Sequence, residues 1–110
     1  MDTVVIGLYG STLDSPVGVR RWLRWRPTVS LFQAEDLEVA RLELLHAPAH
    51  LDGVQRIVAD IGNLSPSTAV RLHPYELADP WDFEEVYALL HDWALAYPFR
   101  PEDEDYLVHI

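Results

Sequence analysis

The sequence predicts an α/β domain built on a parallel sheet of strand order 3-2-1-4, with helices on both faces. Three observations lead there. Segments that read as strands alternate with segments of helical spacing along the whole chain, the pattern of strand–helix–strand crossovers. The first of them, residues 3–9, is β-branched and aromatic, as a buried strand is. Pro74 interrupts the third strand, and a proline cannot donate to a ladder, so that strand belongs at a sheet edge. At 110 residues the chain forms a single domain, residues 1–110. A domain of this size buries roughly 60–70% of the unfolded chain's surface and folds without staples.

Residues 3–9 (TVVIGLY) make the first strand and end on Gly10, Ser11 and Thr12. Residues 10–18, with Asp14, Ser15 and Pro16, are turn chemistry and lead into a stretch rich in arginine and tryptophan. Pro27 fits the first position of a short helix that offers Val29, Leu31 and Phe32 to the core before Glu35 and Asp36. Residues 39–46 (VARLELLH) alternate partially about Leu42, Leu44 and Leu45 and form the second strand, which Pro48 ends. From Leu51, the positions Val54, Ile57, Val58, Ile61 and Leu64 follow helical spacing, and Gly62-Asn63 supplies the stop. Ser65-Pro66-Ser67 is a turn before the third strand, residues 69–77 (AVRLHPYEL).

Asp79 and Pro80 open the last helix as N-cap and first residue, and Asp82, Glu84 and Glu85 lie where the macrodipole favours anions. Phe83, Val86, Tyr87, Leu90, Trp93, Ala94 and Tyr97 mark one face of it until Pro98. Residues 106–110 (YLVHI) are the fourth strand. The first and fourth strands then sit side by side at the switch point, where open α/β sheets bind ligands beyond the strands' carboxyl ends. Those ends are Gly10 to Thr12 and whatever would follow Ile110. A sheet that stops on an interior-looking strand reads as truncated after its fourth strand, one piece of a longer protein.

Composition narrows the function classes. The chain has no cysteine, so neither disulfides nor thiolate metal sites enter, and it has no lysine. Nothing reads as a signal peptide or a membrane span, and a cytoplasmic protein is expected. The net charge of −10 argues against a groove that tracks a long duplex. Its distribution is uneven: residues 1–34 balance at +2 and residues 35–110 at −12. Local basic character of this kind suits a small anionic ligand or a strand terminus.

That character is concentrated in residues 20–28 (RRWLRWRPT), where four of the eight arginines interleave with two of the four tryptophans. Guanidinium matches phosphate as a planar fork, and indole offers a face for a base, so the composition suits a nucleotide or RNA end. The competing reading is a surface loop whose Arg stems and Trp rings cover apolar surface. Pro27 and Thr28 go to the helix start. This leaves Arg20, Trp22, Arg24, Trp25 and Arg26, with Gly10, Ser11 and Thr12 at the strand end, as the candidate ligand-binding residues.

Other constellations are weaker. Residues 7–12 (GLYGST) match neither the dinucleotide fingerprint nor a phosphate-binding P-loop, so NAD and ATP are poor fits. Those residues read either as a backbone and hydroxyl cradle for a small anion or as an ordinary strand-to-loop turn. Pro48 keeps His46 and His50 off a shared helical face, so no metal is assigned. His91, near Glu84 and Asp92, has no nucleophile beside it, and His73 and His109 alternate within strands. Catalysis by a histidine pair is a minor alternative, and no catalytic residue or cofactor is assigned. Residues 102–105 (EDED) read as an exposed acidic turn. Trp81, Phe83, Tyr87, Trp93 and Tyr97 read as core or as a dimer face.

Residues 25–28 (WRPT), 41–46 (RLELLH), 79–87 (DPWDFEEVY) and 104–110 (EDYLVHI) carry a further signal. Through them, and over essentially its whole length, the chain resembles the N-terminal domain of the RtcR family, transcriptional activators of the bacterial RNA-repair operon. The resemblance implies a CARF domain, the CRISPR-associated Rossmann-like fold. It also implies a non-enzymatic ligand sensor that binds RNA with a 2′,3′-cyclic phosphate end and restrains an attached sigma-54-interacting AAA+ ATPase, with a helix-turn-helix domain beyond. A homodimer is implied too. The chain holds no GxxxxGK[ST] loop, so the ATPase lies outside it. Relatives continue after the fourth strand with a Thr-Gly-Thr-His loop that contributes to the ligand site, and this chain ends before it. A ring-nuclease-like enzyme acting on RNA or a cyclic nucleotide, and a ligand-independent dimerisation module, are the alternatives.

Overall fold

In a computed structural model of the chain, all residues are described except 11–13, 15, 16, 35, 80 and 110. Four strands, β1 (Asp2–Leu8), β2 (Arg41–His46), β3 (Ala69–Pro74) and β4 (Glu104–His109), pair in parallel in the order β3-β2-β1-β4. Pro74 lies on the edge strand, where its missing N–H breaks no ladder bond.

The steps from β1 to β2 and from β2 to β3 run in one direction and keep their helices on one face. These are α1 (Pro27–Ser30), extended by a 3-10 turn Leu31–Gln33, and α2 (Leu51–Leu64). The step to β4 doubles back across the sheet and sets α3 (Phe83–Ala96) on the other face. On the α2 side, the alternate residues Val5, Leu42 and Leu44 meet Val29, Phe32, Val54, Ile57 and Ile61 in one core, with Val70 and Leu72 packed against it. Residues 42–46 of β2 are all buried, since helices cover that strand on both faces.

Several element ends differ from expectation. Gly62 and Asn63 lie inside α2, which runs to Leu64; Gly62 has no positive φ and forms no left-handed cap. The last helix starts at Phe83, and its N-cap is Asp82, whose carboxylate accepts from the N–H of Glu84 and Glu85. Asp79 closes the turn before it instead, accepting from the Trp81 N–H at 2.9 Å. Pro80 is outside the described residues. Glu85, three residues past the cap, reaches back to the N–H of Ala78 and Asp79 and so holds the helix entry.

The acidic run is only partly an exposed turn. Glu104 opens β4 and is buried, with Arg41 donating at 2.8 and 3.2 Å and the Tyr106 hydroxyl at 2.7 Å. Parallel pairing of Glu104 with Asp2 draws it into the sheet, where Arg41 neutralises it. The aromatic series also divides. Trp93 and Tyr97 join Phe99, Tyr106 and His73 in a ring cluster beneath α3. Trp81, Phe83 and Tyr87 are 86, 87 and 71% exposed, so they are not core. None of the α3 residues is fully buried. Among the described residues no helix is long and apolar enough to cross a membrane.

One glycine is fixed by close approach. A Cβ on Gly53 of α2 would stand 2.1 Å from the Tyr9 hydroxyl and 3.0 Å from Cζ. Glycine-to-alanine in a helix ordinarily stabilises by up to about 1 kcal/mol. Here Gly53→Ala should instead destabilise by about 1–2 kcal/mol in urea denaturation, since the buried Tyr9 ring must move. Tyr9→Phe should recover part of that loss.

Candidate functional site

β1 delivers the chain to the switch point. Tyr9 follows it, donating its N–H to the Leu45 carbonyl at 2.9 Å and packing its ring 5.8 Å from that of His50. Asp14 then folds the connection back on itself. It is 2% exposed, and its carboxylate accepts from the Gly10 N–H at 2.9 Å and from the Thr28 N–H and hydroxyl at 3.0 and 2.9 Å. One buried anion therefore closes the loop after β1 and anchors the first turn of α1.

Between these anchors, residues 18–25 lie outside the core, and Arg26 turns back into it. Gly18 turns the chain at φ 74°, a conformation that favours glycine, and a 3-10 turn, Val19–Leu23, follows. Arg21 grips Asp60 of α2 with Nε and Nη2, both at 2.8 Å. Arg26 donates to the same carboxylate at 2.6 Å, with Arg26 and Asp60 both buried. The Trp22 ring is 5.5 Å from the Arg21 guanidinium and 5.0 Å from that of Arg26, a cation–π contact with both. The hydrogen bonds from Arg21, followed by the one from Arg26, hold the Asp60 carboxyl below the usual carboxylate range although burial opposes them. Asp60 lies seven residues beyond Gly53, about 10 Å farther down α2 from the end of β1. The arginine–tryptophan segment is thus fastened along the flank of α2.

The anchoring sorts the predicted residues. Gly10 lies at the strand end with its N–H taken by Asp14. Ser11 and Thr12 are outside the described residues. Arg26 is inside the fold, and Trp22 lies on the two anchored guanidiniums. Arg20, Arg24 and Trp25 are exposed, together with the apolar side chains of Val19 and Leu23. Asp14, Arg21 and Asp60 escaped sequence reasoning as parts of the site. The available signal was an acid, Asp60, at the edge of the apolar stripe of Val54, Ile57 and Ile61.

A second polar group lies under α3. The Glu43 carboxylate is fully buried, 3.6 Å from Arg41 Nε, 3.9 Å from Arg71 Nε and 3.5 Å from His73 Nε2, beside a cavity of about 280 Å³ walled by Trp93 and Tyr97. Arg41 also donates to the Tyr97 hydroxyl at 2.7 Å, and burial is the main reason the Tyr97 phenol is pushed up. His46 is buried with Nδ1 3.0 Å from the Ala47 carbonyl oxygen, and His91 lies 3.9 Å from Asp92. Among the described residues no three histidines or acids gather as a metal site. A larger cavity of about 920 Å³ opens at the opposite, N-terminal edge of the sheet, by Thr3, Phe32 and Leu64.

An open parallel sheet with β1 and β4 adjacent at the switch point, and helices on both faces, defines a Rossmann-like α/β domain. The chain belongs to the RtcR family, described as regulator of RNA terminal phosphate cyclase, whose model matches residues 1–110. It is 50% identical over 109 residues to the transcriptional regulatory protein RtcR of Escherichia coli (strain K12), a match covering 98% of this chain and 20% of that protein. The chain therefore spans about a fifth of the length of this curated relative. No solved structure matches it.

Proposed function

We propose that the chain is the ligand-sensing, non-catalytic part of a cytoplasmic transcriptional regulator of RNA repair. It acts as a CARF-type domain that binds an RNA end carrying a 2′,3′-cyclic phosphate and controls an attached sigma-54-interacting AAA+ ATPase. Membership of the family supports the regulatory role. The observation that carries the ligand is the state of two arginines. Arg21 and Arg26 are committed to Asp60, Arg41 to Glu104 and Arg100 to Asp103. Arg20 and Arg24 are exposed and, among the described residues, make no ion pair in a chain of 18 acids.

In this reading Arg20 and Arg24 neutralise phosphate, and Trp25 or Trp22 stacks on a base. Arg26 holds Trp22 in place from within, and Ser11 and Thr12, which follow Gly10, approach the terminal phosphate through backbone and hydroxyl groups. Two phosphate contacts to a single strand give a slope of log K against log salt of about −1.4.

Titrating the intact protein with short RNAs ending in 2′,3′-cyclic phosphate, 3′-phosphate or 3′-hydroxyl tests the reading. The cyclic phosphate end should bind tightest, and Arg24→Glu should weaken it about tenfold or more with unchanged unfolding. Equal or absent binding of all three ends contradicts it.

A further inference from the structure

The start of α3 presents Trp81, Phe83 and Tyr87, all largely exposed, with Phe83 and Tyr87 one turn apart. Three exposed aromatic side chains within seven residues mark an interaction surface. Its surroundings are acidic: residues 76–85 hold Glu76, Asp79, Asp82, Glu84 and Glu85 and no Lys or Arg. Asp79, Asp82, Glu84 and Glu85 make no ion pair among the described residues. A partner for this face needs apolar side chains and unpaired cations together.

The chain itself presents such a surface. Residues 17–26 hold four arginines and no acid, and they expose Val19 at 84%, Leu23 at 85% and Trp25 at 66% beside Arg20 and Arg24. The two surfaces cannot meet within one molecule, because the arginine–tryptophan turn is fastened to α2 on one face of the sheet and α3 lies on the other.

We propose that the aromatic, acidic face at the start of α3 docks the arginine–tryptophan turn of a second copy of this chain. Different patches meet in such a contact, so it is heterologous, unlike the self-matching interface of a twofold dimer. It is also small. Three aromatic rings burying roughly 150 Å² or more each, against Trp25, Leu23 and Val19, give an interface at the low end of specific complexes. Association is accordingly weak and reversible. Carboxylates set among aromatic rings offer a guanidinium the same partners as phosphates among bases, so an RNA end competes for the turn and releases the second copy. That last step rests on the proposed function; the docking does not.

Sedimentation velocity of the intact protein without RNA tests the docking, with thermal unfolding confirming that each variant is folded. Association should weaken about tenfold in Arg24→Glu, in Glu84→Arg and in Phe83→Ala/Tyr87→Ala, and an equimolar mixture of Arg24→Glu with Glu84→Arg should recover it. Association unchanged in these variants, or no recovery on mixing, overturns the proposal. So does protection of Trp81 and Phe83 from hydroxyl radicals at concentrations where the protein is monomeric, which would mean that another part of the same chain covers them. The RNA arm separates the two readings. Docking with no response to any RNA removes the sensor, whereas RNA binding without docking removes the second copy.

Discussion

Replacing Asp60 with alanine lowers stability by about 3 kcal/mol, measured by urea denaturation, and loosens the arginine–tryptophan turn in the same step. The Arg26 guanidinium is 1% exposed, and Asp60 is its hydrogen-bonding partner. Removing the anion leaves a buried cation, a loss of about 3–5 kcal/mol in comparable cases. The low end applies because the Arg21 side chain is 21% exposed and water compensates its part of the cluster. Asp60→Asn keeps the volume and one acceptor, so it should lose less. The pH dependence has a definite sign. A carboxyl held below its unfolded value contributes stability above the unfolded pKa of about 4 and loses it as pH falls through the lower folded value. Wild type should therefore lose more stability than Asp60→Asn on acidification below about pH 4.

Asp14→Ala should cost about 3 kcal/mol by the same measurement. Its buried carboxylate takes three hydrogen bonds, and truncation leaves the Gly10 and Thr28 donors without an acceptor. Thr28→Val removes only the hydroxyl bond at nearly constant shape and should cost about 1 kcal/mol. The two substitutions also separate fold from function. Asp14→Ala frees the loop that leads into the arginine turn and should lower affinity for the RNA end, while Thr28→Val should leave affinity nearly intact.

The sheet was legible because its signals are one-dimensional. Alternating strand and helix patterns set the parallel class, and Pro74 alone placed β3 at the edge. The helix ends were less so: Asp79 and Asp82 are both competent caps, and only the reach of Asp82 to Glu84 and Glu85 decides between them. The face of α3 was half legible: Trp93 and Tyr97 pack as its spacing implied, whereas Trp81, Phe83 and Tyr87 stay exposed, because helical spacing does not say how much of a face finds something to pack against. At the site, the excess of arginine over acid was visible, and so was the distinct role of Pro27 and Thr28. Which arginines remain unpaired was not, since Asp60 meets Arg21 and Arg26 across 39 and 34 residues of chain. Arg26 resembles Arg24 in sequence and is its opposite in environment.

The four tryptophans provide the most direct measurement of the central claim, that an RNA end is taken by the turn at Arg20 to Trp25. Each indole N–H gives its own nitrogen–proton NMR signal, assignable by single Trp→Phe substitutions in the intact protein. On adding RNA ending in 2′,3′-cyclic phosphate at monomeric concentrations, the Trp22 and Trp25 signals should move, and that of Trp93, packed between His73 and Tyr97, should stay. Movement confined to Trp81 and Trp93, or none at saturating RNA, would contradict it.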